Sequence, residues 1–431
     1  MKYVCKQILW TLLTCTFAMS LTAQTEHAYK GTLSAQPELE INHRRGDVQV
    51  LEASDGKISW EAIMSFSSNN EESTRKMKEY FKVKAEDNGG KASISTTVGI
   101  KNMQTINGRS SITFNDGTKV KGIKDLEVKL IVYTPALARL NVNNKYEEIE
   151  IRTPVSELLT LSIYSGEVHV QDIQGKLNMN AKYSKGSVGK NGGAKVELYE
   201  SKIDFGATGD LDINAKYSTF RIPEVGALKA VTYESKGYLG DVSGTLQLND
   251  KYSRYEMKNI QNALLDLYET ELQAETAADI QGKSKYTVYE IRTMGALALE
   301  SSYEDEFQIG QLKSLKTVSK YGNYTLGQLS EALIMDSYED EVDIEELNSG
   351  LQKIQIKGKY TNLDLTLPNE LQFNMEVNAR YTDLDVGEGD LDFSKYISKG
   401  SELNFVGKTK GAGTNAAQFK IECYECKLKM M

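Results

Sequence analysis

Leu211-Asp212-Ile213-Asn214-Ala215-Lys216-Tyr217-Ser218-Thr219-Phe220-Arg221-Ile222 reads as one strand, one corner and a second strand. Numbered as twelve places, it puts apolar side chains at 1, 3, 5, 10 and 12 and leaves Tyr217-Ser218-Thr219 for a turn at 7 to 9. Side chains two apart in a strand share a face, so each half carries one apolar row and the corner bends both rows round a common core. Leu159 to Val170 obeys the same frame, with Leu159, Leu161, Ile163, Val168 and Val170 at the apolar places and Ser165-Gly166-Glu167 at the corner.

The pattern spreads outward from these two stretches. A tyrosine returns every 16 to 22 residues, at Tyr146, Tyr164, Tyr183, Tyr199, Tyr217, Tyr233, Tyr252, Tyr268, Tyr286, Tyr303, Tyr321, Tyr338, Tyr360 and Tyr381. Place 7 is more regular still, because Tyr146, Ser165, Tyr183, Glu200, Tyr217, Glu234, Tyr252, Glu269, Tyr286, Glu304, Tyr321 and Glu339 are 17 to 19 apart. So short a period means a solenoid, and the expected fold is all-β: a parallel β-solenoid (β-helix) of about fourteen rungs.

Stacking gives the places meaning, since equivalent residues in successive rungs lie about 4.8 Å apart. Column 6 reads Lys145, Tyr164, Lys182, Tyr199, Lys216, Tyr233, Lys251, Tyr268, Lys285, Tyr303, Lys320, Tyr338, Lys359, so no two lysines touch. Column 7 alternates tyrosine with glutamate between Tyr183 and Tyr321, which keeps carboxylates two rungs apart and sets each diagonal to a lysine. Aromatic contacts, cations over rings and diagonal ion pairs contribute about 0.2 to 1 kcal/mol apiece. The candidate interaction edge is Tyr183, Tyr199, Tyr217, Tyr233, Tyr252, Tyr268, Tyr286, Tyr303, Tyr321 and Tyr338, a stabilised edge before it is a binding surface.

The 431 residues carry 51 Lys and Arg against 60 Asp and Glu, a net charge of −9 that argues against nucleic acid as a partner. Forty per cent apolar content argues against disorder, and 34 glycines with only 5 prolines suit a sheet-rich chain with glycine corners. Lys2, Lys6 and the apolar run from Ile8 to Met19, followed by Leu21-Thr22-Ala23, read as a signal peptide over residues 1–23, too short to span a bilayer. The expectation is an exported protein, periplasmic, outer-membrane-associated or extracellular, with no transmembrane segment in the mature chain.

Residues 24–139 read as a β-rich cap region. Leu39 to Val50 is already a rung, with Arg45-Gly46-Asp47 as its corner rather than an integrin motif. Ser68-x-x-Glu71 reads as a capping box opening one helix over about 69–83, with Met77, Tyr80 and Phe81 on one face. Residues 140–400 form the solenoid, its far corners marked by Gly175, Gly244 and Gly295, where glycine permits a tight, often φ-positive bend. Leu391 to Phe405 reads as a last imperfect rung, and 401–431 as a C-terminal cap whose Phe419, Ile421 and Cys423 alternate in a closing strand.

Little in the chain resembles catalytic chemistry. His27, His43 and His169 are far apart, and no metal spacing, nucleophile triad or phosphate-binding loop is present, so the expected catalytic residues, cofactors and metals are none. Cys423-Tyr424-Glu425-Cys426 lies on a strand-like run and suits a local disulfide better than a redox site. Tyr303-Glu304-Asp305-Glu306 and Tyr338-Glu339-Asp340-Glu341, with Asp343, bring carboxylates to one edge. They read as solvated corner charges, with a calcium site as the competing reading.

The rung grammar, the opening Leu39 to Val50 and the run Val132-Tyr133-Thr134-Pro135-Ala136-Leu137 resemble the bacterial putative adhesin family, of the head GIN type, and related adhesin-like domains. The resemblance implies a right-handed parallel β-solenoid on an exported protein and carries no catalytic residues over. The regular Lys-Tyr and Tyr-Glu corners depart from that family's usual Ser-Gly-Asp. The functional expectation is a non-enzymatic adhesin-like interaction or structural protein of the cell envelope, its partner a protein or glycan. The alternative is a carbohydrate-binding or carbohydrate-active β-helix protein, which needs convergent carboxylates beside an arginine in one groove. Arg152, Arg221, Arg254 and Arg292 fall at different rung places.

Overall fold

Successive rungs pair in parallel through the places read from the sequence. In the computed structural model, which describes residues 24–386 and 391–431, the place-1 residues Leu177, Ala194, Leu211, Leu228, Leu246, Ala263, Ile280, Leu297, Leu315, Leu333 and Ile354 are consecutive ladder partners. The result is a parallel β-solenoid of about 13 turns. Its core is the stacked apolar rows, such as Ile203, Phe220, Tyr255, Leu272, Tyr289, Phe307 and Tyr324 at place 10, all buried. The expected signal peptide lies outside the described residues.

The φ-positive bend belongs to place 7, not to the far-corner glycines Gly175, Gly244 and Gly295. Arg45, Tyr146, Ser165, Tyr183, Glu200 and every later place-7 residue take φ between 45° and 66°. A left-handed conformation costs a non-glycine residue about 1 to 2 kcal/mol. The corner tolerates it because the ladder is not interrupted there: Tyr217 N–H donates to the Tyr233 carbonyl at 3.0 Å, and Glu200 N–H to that of Lys216 at 3.0 Å. Gly175, Gly244 and Gly295 have no such φ, which corrects the sequence expectation. Glycine is needed there for close approach, since a Cβ on Gly295 would sit 2.2 Å from the Ala278 carbonyl oxygen and one on Gly175 2.5 Å from that of Glu157.

Towards the N-terminus the stack continues past residue 140. Glu38–Arg44 and Asp47–Glu52 form a rung on Leu137–Ile151, and Lys91–Thr97 and Lys119–Thr134 pair beyond them. Antiparallel strands Gln24–Ser34, Lys57–Ser67 and Lys82–Asp87 complete that end. Arg45-Gly46-Asp47 is a corner, and a Cβ on Gly46 would meet the Val128 carbonyl oxygen at 1.9 Å. The helix is Glu71–Tyr80, shorter than expected, and Asn70 rather than a Ser68/Glu71 box caps it, its side chain accepting from Ser73 N–H at 2.9 Å.

The C-terminus overturns the expected order. Ala417–Tyr424 and Lys427–Met430 do not close the rod; they are inserted between the rung Lys353–Lys359/Asn362–Leu365 and the rung Phe373–Arg380/Asp383–Val386, parallel to both. Leu391–Lys399 and Glu402–Thr409, read as a last rung, instead form an antiparallel hairpin laid against Phe373–Arg380.

The inserted strand obeys the charge alternation. Lys359-Tyr360 and Arg380-Tyr381 are both cation-tyrosine corners and would set two cations side by side. With Tyr424-Glu425 between them, column 6 reads Lys359, Tyr424, Arg380 and column 7 reads Tyr360, Glu425, Tyr381.

Candidate functional site

Because place 7 is left-handed, the side chains at places 6 and 7 emerge on the same outer edge. There fifteen tyrosines form one unbroken file: the fourteen from Tyr146 to Tyr381, with Tyr424 inserted between Tyr360 and Tyr381. Neighbouring ring centroids are 5.3 to 6.0 Å apart with planes 71° to 89° apart, edge to face throughout. That geometry sets a positive ring edge on a negative ring face, worth about 0.5 to 1.5 kcal/mol per pair beyond burial. All ten candidate tyrosines stand in this file. Sequence reading missed Tyr424; the signal was the broken parity between Tyr360 and Tyr381 beside an unused Tyr-Glu corner.

The two columns differ in exposure. Tyr183, Tyr217, Tyr252 and Tyr321 at place 7 are 41 to 46% exposed, whereas Tyr199, Tyr233, Tyr268, Tyr303 and Tyr338 at place 6 are half-buried. Lysines cover rings in the C-terminal half of the file: Lys285 Nζ lies 4.6 and 4.5 Å from the centroids of Tyr286 and Tyr303, and Lys359 Nζ 4.8 Å from that of Tyr360. Tyr286 and Tyr360 are accordingly half-buried although they occupy place 7.

The expected diagonal pairs between column lysines and glutamates are not among the ion pairs of the described residues. The place-7 glutamates bear on the neighbouring place-6 phenols instead. Glu200 beside Tyr199, Glu234 beside Tyr233, Glu304 beside Tyr303 and Glu339 beside Tyr338 each push the phenol pKa up by hydrogen bonding, with smaller contributions from burial and charge. A phenol whose folded pKa is raised favours folding fully below its ordinary value, and that contribution is lost as pH rises through the folded pKa. Glu200→Gln with Glu234→Gln is therefore expected to lower the ionisation midpoints of Tyr199 and Tyr233, read by ring-labelled tyrosine NMR. Unchanged midpoints would place the carboxylates away from the hydroxyls.

Beneath the edge runs a buried polar ladder at place 8. Ser184, Ser201 and Ser218 each donate a backbone N–H to the hydroxyl of the next rung's serine, at 3.1, 3.1 and 3.2 Å. Asp305 and Asp340 occupy this same place and turn inward, which corrects their reading as edge charges. Asp305 accepts from Ser284 and Ser302 hydroxyls at 2.7 and 2.6 Å and from Thr287 and Tyr303 N–H at 2.8 and 3.2 Å. Asp340 accepts from the Ser319 and Ser337 hydroxyls and from Gly322 N–H. Burial raises both carboxyl pKa values against these donors. Only Glu304, Glu306, Glu339, Glu341 and Asp343 remain outward at those corners, and among the described residues no group of three or more His, Cys, Asp or Glu is placed to hold a metal ion.

Cys423 and Cys426 are free and buried, at places 5 and 8 of the inserted rung. Gly358 of the neighbouring rung makes room for both sulfurs, since a Cβ there would stand 2.8 and 3.1 Å from them. His43 is buried against the Thr96 hydroxyl, and burial lowers its pKa to about 4; His169 is half-buried beside Glu167 and Ser187. Arg221 pairs with Asp204 at 3.3 Å and Arg254 with Glu271 at 3.2 Å, each on its own stretch of the rod, and Arg152 pairs with Glu150.

Two shallow grooves follow the corner alongside the tyrosines. One, of about 1040 Å³, runs from Asp47 past Tyr146, Tyr183 and Lys202 to Tyr217 and Thr219. The other, of about 500 Å³, continues past Tyr252 and Arg254 to Tyr286 and Val288. Both are open along their length and floored by the place-8 residues, so they fit an extended occupant better than a compact one.

No family model matches the chain, and no curated protein matches it in sequence. Among solved structures it is similar to a putative cell adhesion protein from Clostridium sporogenes, 8% identical over 94% of this chain and 99% of that one, with a TM-score of 0.17. A putative adhesin from Parabacteroides merdae is 11% identical over 77% and 97%, with a TM-score of 0.21. A putative lipid binding protein from Parabacteroides distasonis is 9% identical over 79% and 96%, with a TM-score of 0.18. Superposition this loose does not transfer a function, so the functional argument rests on the chain's own edge.

Proposed function

We propose that this chain is a non-enzymatic, adhesin-like interaction protein of the bacterial cell envelope, and that it engages its partner along the tyrosine edge. The observation that carries the reading is the unbroken file of fifteen rings beside two open corner grooves. A rigid rod that repeats one weak site at every rung gains affinity by engaging many at once. Edge-to-face packing uses part of each ring for the scaffold, and the place-7 rings Tyr183, Tyr217, Tyr252 and Tyr321 keep more than two-fifths of their surface free for a partner.

Two paired substitutions separate scaffold from site. Tyr217→Ala with Tyr252→Ala removes exposed place-7 rings, and Tyr233→Ala with Tyr268→Ala removes half-buried place-6 rings. The expected outcome is that the first pair abolishes binding to envelope glycans in a glycan array while lowering Tm by only a few degrees, and the second lowers Tm more. Absence of glycan or envelope-protein binding by the parent, with stability lost in both variants, would make the file a scaffold alone.

A further inference from the structure

The edge is not uniform in charge. Around the five corners from Lys182 to Arg254, places 6, 7 and 9 hold seven cations against Glu200 and Glu234. Around the next five, to Glu341, the same places hold Lys285 and Lys320 against six glutamates.

The lysines also behave differently in the two halves. Lys285 and Lys320 lie over tyrosine rings, as does Lys359 in the rung beyond. Lys182, Lys216 and Lys251 lie over none and, with Lys202 and Lys236, have no ion-pair partner among the described residues. All five are exposed, beside Tyr183, Tyr217 and Tyr252 with their rings uncovered. Only Lys185, on Glu167 at 2.8 Å, and Arg254, on Glu271, are already neutralised.

We propose that this basic segment, about 19 Å long at the solenoid repeat, binds an acidic polysaccharide. Tyrosine faces would stack on sugar rings and the free lysines would meet carboxylates or sulfates. The inference rests on the reading of the edge as the interaction surface and names its ligand class. Spacing supports it. Column-6 lysines recur at every second rung, about 9.5 Å apart, close to the rise of a disaccharide in an extended chain charged on alternate sugars. Duplex nucleic acid carries its phosphates far more densely, about one per 1.7 Å of axis against one column-6 lysine per about 9.5 Å here. Alternating ring and cation also suits a sugar polymer, whose apolar faces and charged substituents alternate.

The test measures binding of the full chain to hyaluronate, which carries one carboxylate per disaccharide, and to the more densely charged polygalacturonate, with neutral dextran and oligodeoxythymidylate as comparison arms, by calorimetry at two salt concentrations. Lys182→Gln, Lys202→Gln, Lys216→Gln and Lys236→Gln are combined in one variant, the same four sites are changed to arginine in a second, and Lys285→Gln, Lys320→Gln and Lys359→Gln in a third. Expected are binding to an acidic polymer over neutral dextran, weakening with salt, loss of about tenfold or more in affinity in the first variant, and retention in the other two. Arginine retention holds the proposal to charge even if the glutamine variant unfolds. No acidic-polymer binding by the parent, equal loss in the third variant, or tighter binding to the oligonucleotide would overturn it. So would self-association of the parent that disappears in the first variant, which would make the charged halves an interface between two copies. Binding to neutral dextran that is lost in the tyrosine variants would refute the charge assignment while leaving the edge as the interaction surface; no binding along the edge at all would refute both.

Discussion

Deleting residues 411–431 is expected to unravel the C-terminal end of the rod while leaving its middle folded. The deletion takes away a rung that is hydrogen-bonded on both sides, together with the buried side chains of Phe419, Ile421, Leu428 and Met430. Each such side chain represents about 1.5 to 3 kcal/mol of gross burial. The two rungs it separated would face each other through Lys359 and Arg380, like charges directly opposed. Contacts in a solenoid reach only to the next rung, so the damage should stay local. Hydrogen exchange should show protection lost over 353–386 and kept over 177–268. A finer variant tests the charge order alone: Tyr424→Lys with Glu425→Tyr keeps the strand but lines up three cations in column 6. It is expected to lower the Tm of the C-terminal transition by several degrees, and a variant as stable as the parent would show that apolar pairing, not charge order, places the strand.

Asp305→Ala is expected to cost about 3 kcal/mol or more, among the largest effects of any single substitution in this chain. The carboxylate gathers four donors in a buried site; the two hydroxyls can rotate to other acceptors, but the Thr287 and Tyr303 N–H groups cannot. Orphaned buried donors cost about 1 to 3 kcal/mol apiece. Asp305→Asn, which keeps one acceptor oxygen, should cost less. The pH dependence has a definite sign. With its folded pKa raised by burial, Asp305 contributes stability that is fully present below the ordinary carboxyl range and is lost as pH rises through the folded pKa. The stability gap between parent and Asp305→Ala should therefore widen as the solution is acidified through that window, measured by denaturant unfolding at a series of pH values. A gap that narrows would mean the carboxylate is held charged by its donors rather than penalised by burial.

Much of this architecture was legible from one twelve-residue frame. Strand periodicity is local, so Leu211, Ile213 and Ala215 announce their inward face without reference to any partner. Parallel stacking then brings like places together, which is why columns 6 and 7 could be written down in order and why all ten candidate tyrosines share one edge. What the column charges do was not legible. The diagonal lysine-glutamate pairs suggested by the columns are not among the ion pairs of the described residues, and Glu200 raises the pKa of the adjacent Tyr199 instead; the left-handed turn at place 7, which sets where the side chains leave the corner, is not written in the strand pattern. The same turn sends Asp305 inward at place 8, although its neighbours Glu304 and Glu306 point out.

The local sequence alone determined the rung, its apolar rows and the alternation of tyrosine with charge, because each depends on residues a few places apart. Only the tertiary structure decided the order of the last rungs. Lys359-Tyr360 and Arg380-Tyr381 carry the same corner type and cannot be stacked without opposing two cations. The relief comes from Tyr424-Glu425, more than forty residues farther along the chain, through a pairing that no local pattern encodes.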